Sequence, residues 1–460
     1  MHSSSSTSSA HSLHYNSRPT IGSEPGINPR ADGADEKYSH YHQQCLIQVT
    51  EYSTDNVSQK TMSNVDFVKS IEAGQVDAIR WINVGGISWD VLSALALRYV
   101  DLHSLALEDI LQDDPHHQSK ADYYPQHLFL RVLCHTLHDG PTKLPVDYIA
   151  RCNDVENYPV SKESDLGRAG SISRRFQARQ QQIRRIAALT KGDRILVNHE
   201  PMFIFLLREG TVISIHPTPD LRFTEPVMQR LQRHDSVLRT SQDPAILVEA
   251  ILDLIVDRIV EILDSYQDKL LKIEHDILLK PGMSTVRSLH ILSGDLILNK
   301  RTVEPIRSLV NGLREYDQQR CAPLGWPSDN GYMSSQAKVY LADVQDHLDF
   351  VLTSLDMFSG ISENLINYAF NMASYEMNQV MRRLTLATII FLPLTLLTGY
   401  FGMNFASMDS VQDHSELLFW IISLPVMAVI VPLFLHSDII AVVHHVKKVL
   451  GARRAVSAQR

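Results

Sequence analysis

The residues from Asn378 to Asn404 include few groups able to do chemistry, and their types narrow what that chemistry is. Asn378, Met381, Leu384, Thr388, Leu392, Thr395 and Gly399 recur three or four positions apart, so in a helix they share one stripe. Between Leu384 and Met403 there is no carboxylate, histidine or cysteine, hence no strong dehydrating cage for zinc or copper. Neutral oxygens from Asn404 and nearby carbonyls would instead hold an ion through its water shell, which suits Mg²⁺, small, octahedral and slow to dehydrate. Repeated around an axis, Met381, Leu384 and Leu392 would form narrow apolar rings able to gate by dewetting. The threonines have a second reading, because their hydroxyls can be satisfied by carbonyls of their own helix. Asp409, Asp413 and Glu416 follow in a short loop and would concentrate cations there or serve as an ordinary solvated face.

These residues require a membrane to position them. Leu384 to Met403 is a charge-free run that would rise about 30 Å as a helix, the thickness of a bilayer's hydrocarbon core. A second uncharged run covers 417–437. Arg382 and Arg383 precede the first run and Lys447, Lys448, Arg453 and Arg454 follow the second, while the loop between carries Asp409, Asp413 and Glu416 and no Lys or Arg. The positive-inside tendency puts both termini in the cytoplasm of a multi-pass membrane protein, with the plasma membrane the expected site. Upstream, an apolar stripe runs from Leu341 through Val344, Leu348, Val351, Leu355, Phe358, Ile361 and Leu365 to Met372 without a break before the first span. One helix from about 334 to about 401 is expected, roughly 100 Å long. One hairpin encloses no path for a polar solute, so transport demands a ring of copies.

The rest of the 460-residue chain reads as cytosolic, with a net charge of -9 that gives no support for nucleic-acid binding. Its 4 cysteines are too scattered for a disulfide framework or zinc cluster. Residues 1–40 read as a disordered Ser-rich tail, and 41–243 as an α/β domain with strands near 45–52, 77–84, 128–137 and within 194–217. A helix is expected over 89–100, and an irregular insert over 139–191. A long-helix stalk fills 244–383, followed by span one at 384–403, an outer loop at 404–416, span two at 417–437 and a basic tail at 438–460. No nucleophile with a base, phosphate loop or metal triad emerges, so an enzyme and a resident cofactor are not expected.

The sequence GYFGMNF, with Gly402, Met403 and Asn404 placed before the last of two C-terminal spans, resembles the signature of the CorA family of divalent cation transporters. The resemblance extends through NQVMRRLTLATIIFLPLT, WINVGG, LHSLALEDIL and YLADVQDHLDFV. It implies an α+β membrane protein, with a cytosolic α/β domain, a funnel of long helices and a two-helix hairpin, assembled as a homopentamer in the bilayer. It further implies passive Mg²⁺ uptake, with Co²⁺ or Ni²⁺ as alternative cargo, Asn404 at the outer pore entrance and the stripe from Asn378 to Gly399 lining the path. Cytosolic Mg²⁺ would be sensed by Asp109 and Asp343, with Glu108 and Asp346 close by. Ala406 stands where a glutamate is common, which moves any acidic outer ring to Asp409, Asp413 or Glu416. Carriage of another divalent cation such as zinc, and a non-conducting sensor or structural protein, are the alternatives.

Overall fold

The computed structural model describes residues 24–71, 78–99, 102–111, 118–137, 192–325, 331–403, 417–430 and 432–433. The chain divides into two compact units, one of 1–279 with 283–365, the other of 280–282 with 366–460.

The first unit is built on a 7-stranded sheet: β1 (Leu46–Tyr52), β2 (Val57–Met62), β3 (Ile79–Gly85), β4 (Lys120–Tyr123), β5 (His127–Leu137), β6 (Val197–Leu207) and β7 (Thr211–His216). Its order is β2-β1-β3-β7-β6-β5-β4, antiparallel except for the parallel pair β3–β7. The central strands are apolar almost without alternation because both faces are covered. Ile47, Val84, Phe129, Phe203, Phe205, Ile213 and Ile215 pack with four short helices, α1 (Ala34–Tyr38), α2 (Asn64–Ser70), α3 (Trp89–Ala94) and α4 (Ser104–Leu111). The intervening Leu128, Leu130, Met202, Ile204, Leu206 and Val212 are also buried. β5, β6 and β7 all pack against the first long helix, described below.

The helix expected over 89–100 is shorter: α3 ends at Ala94 and a π-helical turn, Leu95–Tyr99, continues the chain. The tail is also more ordered than its composition suggests. From residue 24 onward it is seated by the burial of Ile27 and Ala34, while 1–23 lie outside the described residues, as does the insert at 139–191.

Two short helices, α5 (Glu225–Gln232) and α6 (Val237–Thr240), lead into α7 (Pro244–Leu279). Asp243 Oδ1 accepts from the Ala245 N–H at 2.9 Å and Pro244 opens the helix, an arrangement that satisfies a first-turn donor and fixes the entry angle. The apolar residues Ile251, Ile255, Ile259, Ile262, Tyr266, Leu270, Ile273 and Ile277 recur in steps of three and four and are buried as one face. Then follow α8 (Met283–Glu315), α9 (Asp317–Cys321) and α10 (Ser335–Phe401), the last a single helix of 67 residues. Lys300 bridges to Asp356 at 2.7 Å, and Arg307 to Asp349, tying α8 to α10. The second unit holds α10 from Ile366 onward and α11 (Leu417–Ile430).

Candidate functional site

Among the described residues, α10 is the one helix long and apolar enough to cross a membrane, and α11 is a shorter apolar helix. The second expected span, 417–437, is thus helical over Leu417–Ile430, and residues 431 and 434–437 lie outside the described residues.

In the second unit α10 has two different faces. Leu386, Ile390, Pro393, Leu397 and Phe401 are half-buried, and Phe401 meets Phe419 of α11 edge-on at 5.8 Å between ring centres. Met381, Leu384, Thr388, Leu392, Thr395 and Gly399 are exposed and fall on the opposite side of the helix at 3.6 residues per turn, and Asn378, also exposed, stands toward the edge of that side. Their periodicity therefore collects them on the side of the single chain that α11 leaves open. Thr388 Oγ1 donates to the Leu384 carbonyl at 2.9 Å and Thr395 Oγ1 to the Phe391 carbonyl at 2.8 Å. The hydroxyl protons are thus spent on the helix, leaving oxygen lone pairs outward, where they can accept from the waters of a hydrated cation.

The helix ends at the Gly-Met pair. Gly402 N–H donates to the Thr398 carbonyl at 2.9 Å and Met403 N–H to the Tyr400 carbonyl at 3.2 Å. A Cβ on residue 402 would come within 3.0 Å of the Thr398 oxygen, so glycine permits this close last turn. Asn404, Asp409, Asp413 and Glu416 lie outside the described residues.

The expected sensor carboxylates belong to the first unit and have different neighbours there. Asp109 Oδ2 lies 2.5 Å from Lys120 Nζ, which also reaches Asp122 at 2.8 Å. Burial works against the Lys120 charge, but these two hydrogen-bonded carboxylates outweigh it and hold the ammonium above its ordinary pKa. Glu108 Oε2 accepts from the Gly26 N–H at 2.5 Å. Asp343 and Asp346 are exposed on α10.

Asp343 acts on a cluster that sequence periodicity did not single out. Glu249 and Asp253 on α7 both feel its negative charge. Burial is the first cause that lifts Glu249 to about 7, with Asp253 and Asp343 adding to it and Arg230 opposing. Asp253 is likewise raised, first by burial and then by Asp257. Asp253, Asp257 and His347 bring their ligand atoms within 4.8 Å of one another, the one such convergence among the described residues. On α7 the acids stand one turn apart, and Asp343 and His347 do the same on α10, so the signal was an i, i+4 spacing on two separate helices.

A two-face-covered α/β sheet joined to long helices, one of them apolar enough to cross a bilayer, defines a membrane-associated α+β protein. Residues 175–436 match the family described as "CorA-like Mg2+ transporter protein", and the chain belongs to that family. It is accordingly a transport protein and not an enzyme. It is similar to the cobalt/magnesium transport protein CorA of Thermotoga maritima, 22% identical over 373 residues, covering 81% of this chain and 86% of the relative. Its fold is similar to that of the CorA magnesium transporter of Methanocaldococcus jannaschii, with a TM-score of 0.55, 13% identity, and coverage of 85% of this chain and 96% of that one. The full-length CmaX protein gives a TM-score of 0.54 at 13% identity, covering 86% and 97% of the two chains.

Proposed function

We propose that this chain mediates channel-like, passive entry of Mg²⁺, with the exposed stripe of α10 from several copies, five by family resemblance, surrounding the path. The observation that carries this reading is the exposure of Thr388 and Thr395 on the side of α10 opposite its half-buried face, with Asn378 exposed further back on the same helix. In lipid alone that face would gain nothing from its polar side chains, whereas copies of the same helix around an axis would surround water with them. The ring then alternates oxygen-bearing layers with the apolar layers Met381, Leu384 and Leu392. Gly402, Met403 and Asn404 form the outer entrance, and Asp409, Asp413 and Glu416 enrich cations beyond it. A membrane potential negative inside supplies about 4.6 kcal/mol per 100 mV for a divalent ion, so no pump is required.

Gating by cytosolic Mg²⁺ is supported by the crowding of carboxylates around Asp343. Glu249 holds its proton up to about pH 7, first because it is buried and then because Asp253 and Asp343 repel its charge, and a divalent cation among these carboxylates would offset the same repulsion. Cation at Asp343, Asp346, Glu108 and Asp109 would hold neighbouring copies together, and its loss would loosen them. Co²⁺ is a second cargo on the same path, in keeping with the cobalt/magnesium description of the Thermotoga relative.

The test is reconstitution in liposomes with a Mg²⁺ indicator inside, comparing the wild-type chain with Asn404→Ala. Flux under an inward gradient that collapses in the variant is expected. Wild-type flux no greater than that of empty vesicles would sink the transport reading.

A further inference from the structure

Residues 24–41 cross the two helices α3 and α4, and four separate contacts hold them there. Ile27 N–H donates to the Ser104 carbonyl at 2.9 Å, at the start of α4. Asp35 Oδ1 accepts from Trp89 Nε1 at 2.7 Å, and the Tyr38 ring lies 4.9 Å from the Trp89 ring. Tyr41 donates its hydroxyl to the Leu111 carbonyl at 2.7 Å, at the far end of α4. Just before the first anchor the Gly26 N–H donates to the carboxylate of Glu108, which lies between the two ends of α4. The segment thus grips α4 at both ends, with one backbone donor on a side chain in its middle.

We propose that this segment is a cation-released strap: the Glu108 carboxylate holds either the Gly26 N–H or a divalent cation, so each weakens the other. The inference rests on reading Glu108 as a cation ligand. A hydrated Mg²⁺ keeps an octahedral water shell and presents several donors to a carboxylate, so it needs room at both oxygens. With the strap seated, Oε2 already accepts the Gly26 N–H, so a cation shell that needs this oxygen has to displace the backbone donor. Coupling of this kind is reciprocal: if the strap lowers cation affinity at Glu108, cation must lower strap affinity by the same factor.

Gly26 is built for the docked state. Its φ is +97°, and a Cβ there would meet Ser104 Oγ at 2.6 Å and Ser104 Cβ at 2.9 Å. Gly26→Ala therefore unseats the strap without touching a carboxylate. Glu108→Gln acts in the opposite sense, since its amide oxygen still accepts the Gly26 N–H but carries no charge for a cation.

The readout is tryptic cleavage after Arg30 and Lys37 in the full-length protein in detergent, with Mg²⁺ titrated from chelated to saturating. Cleavage requires the strap to open locally, so its rate follows the open population. Wild-type cleavage should rise with Mg²⁺, by about tenfold at ten times the dissociation constant of the open state. Gly26→Ala should be cut at the high rate without Mg²⁺, and Glu108→Gln at the low rate throughout. Wild-type cleavage that ignores Mg²⁺, or a Glu108→Gln protein that responds like wild type, overturns the strap. An intact cleavage response with no flux overturns the uptake reading alone, and Mg²⁺-gated flux with flat cleavage overturns the strap alone.

Discussion

Lys120 Nζ sits 2.5 Å from Asp109 Oδ2, so the carboxylate expected to sense cytosolic cation already holds an internal one. Any Mg²⁺ that reaches Asp109 has to displace an ammonium that is shared with Asp122 and kept charged by both. In Lys120→Gln the competitor is gone, and the internal Mg²⁺ needed to halve flux should fall by about two- to fivefold, the range that a partly exposed ion pair supports. Vesicle flux measured against internal Mg²⁺ reads this directly. A midpoint that stays put or rises would separate Asp109 from sensing.

The back-bonded threonines allow a test of whether the open face of α10 meets ions. Thr395 Oγ1 gives its proton to the Phe391 carbonyl, a bond that the helix does not need for stability. Thr395→Val keeps the shape and removes the outward lone pairs, so flux should drop several-fold while helicity and assembly stay unchanged. Thr395→Ser should restore it. Equal flux in all three proteins would turn this face toward lipid.

How much of this was legible beforehand differed from element to element. α10 was expected over about 334 to 401 and runs Ser335–Phe401, because its apolar stripe never loses register. β5, β6 and β7 were visible as apolar runs. β2 and β4 were not: VSQKTM and KADY lie at the two sheet edges, where few side chains are buried and the alternation fades. The strap was hidden by its composition, since two small buried anchors, Ile27 and Ala34, sit in an otherwise polar stretch. The meeting of Asp253 and Asp257 with His347 depends on how two helices pack, which the spacing within either one does not encode.

His127 makes the fold sensitive to acid. It is 1% exposed, with its ring 5.1 Å from Tyr124 and 5.5 Å from Phe205, and neither ring nitrogen has a hydrogen-bond partner among the described residues. Burial, with some help from His103, pushes its pKa from 6.5 down to about 4. The unfolded chain therefore binds more protons below pH 6.5. The stability is fully present above 6.5 and is lost as pH falls from 6.5 toward 4, amounting to about 2 kcal/mol at pH 5. In His127→Phe the Tm should match wild type near pH 7.5 and fall less on acidification. Parallel pH profiles for the two proteins would count against a buried neutral imidazole.

Asp317 fixes the entry to α10. It is fully buried, accepts from the Tyr332 and Met333 N–H groups at 3.2 and 3.0 Å, and pairs with Lys338 at 3.4 Å. Asp317→Ala would leave two backbone donors and a cation without their shared acceptor, at a cost of about 3 kcal/mol. Thermal unfolding should show a clear drop in Tm, with Asp317→Asn falling between the two. A wild-type Tm in the alanine variant would mean that this carboxylate is dispensable.

Glu249 links the cation response to pH. It is 4% exposed, and burial, followed by Asp253 and, more weakly, Asp343, raises its carboxyl to about 7 against the opposing pull of Arg230. Below pH 7 it keeps its proton, and one negative charge beside Asp343 is already cancelled. Above pH 7 the charge returns, and a divalent cation at Asp343 gains the attraction that the proton had supplied. Raising internal pH from 6 to 8 should therefore lower the Mg²⁺ midpoint for closing by about fivefold, equivalent to roughly 1 kcal/mol of charge interaction. Glu249→Gln carries no titrating group and should hold the midpoint near its acid value at every pH. If the wild-type midpoint were the same at both pH values, cation at Asp343 would be independent of the α7 cluster, and the crowding there would be structural only.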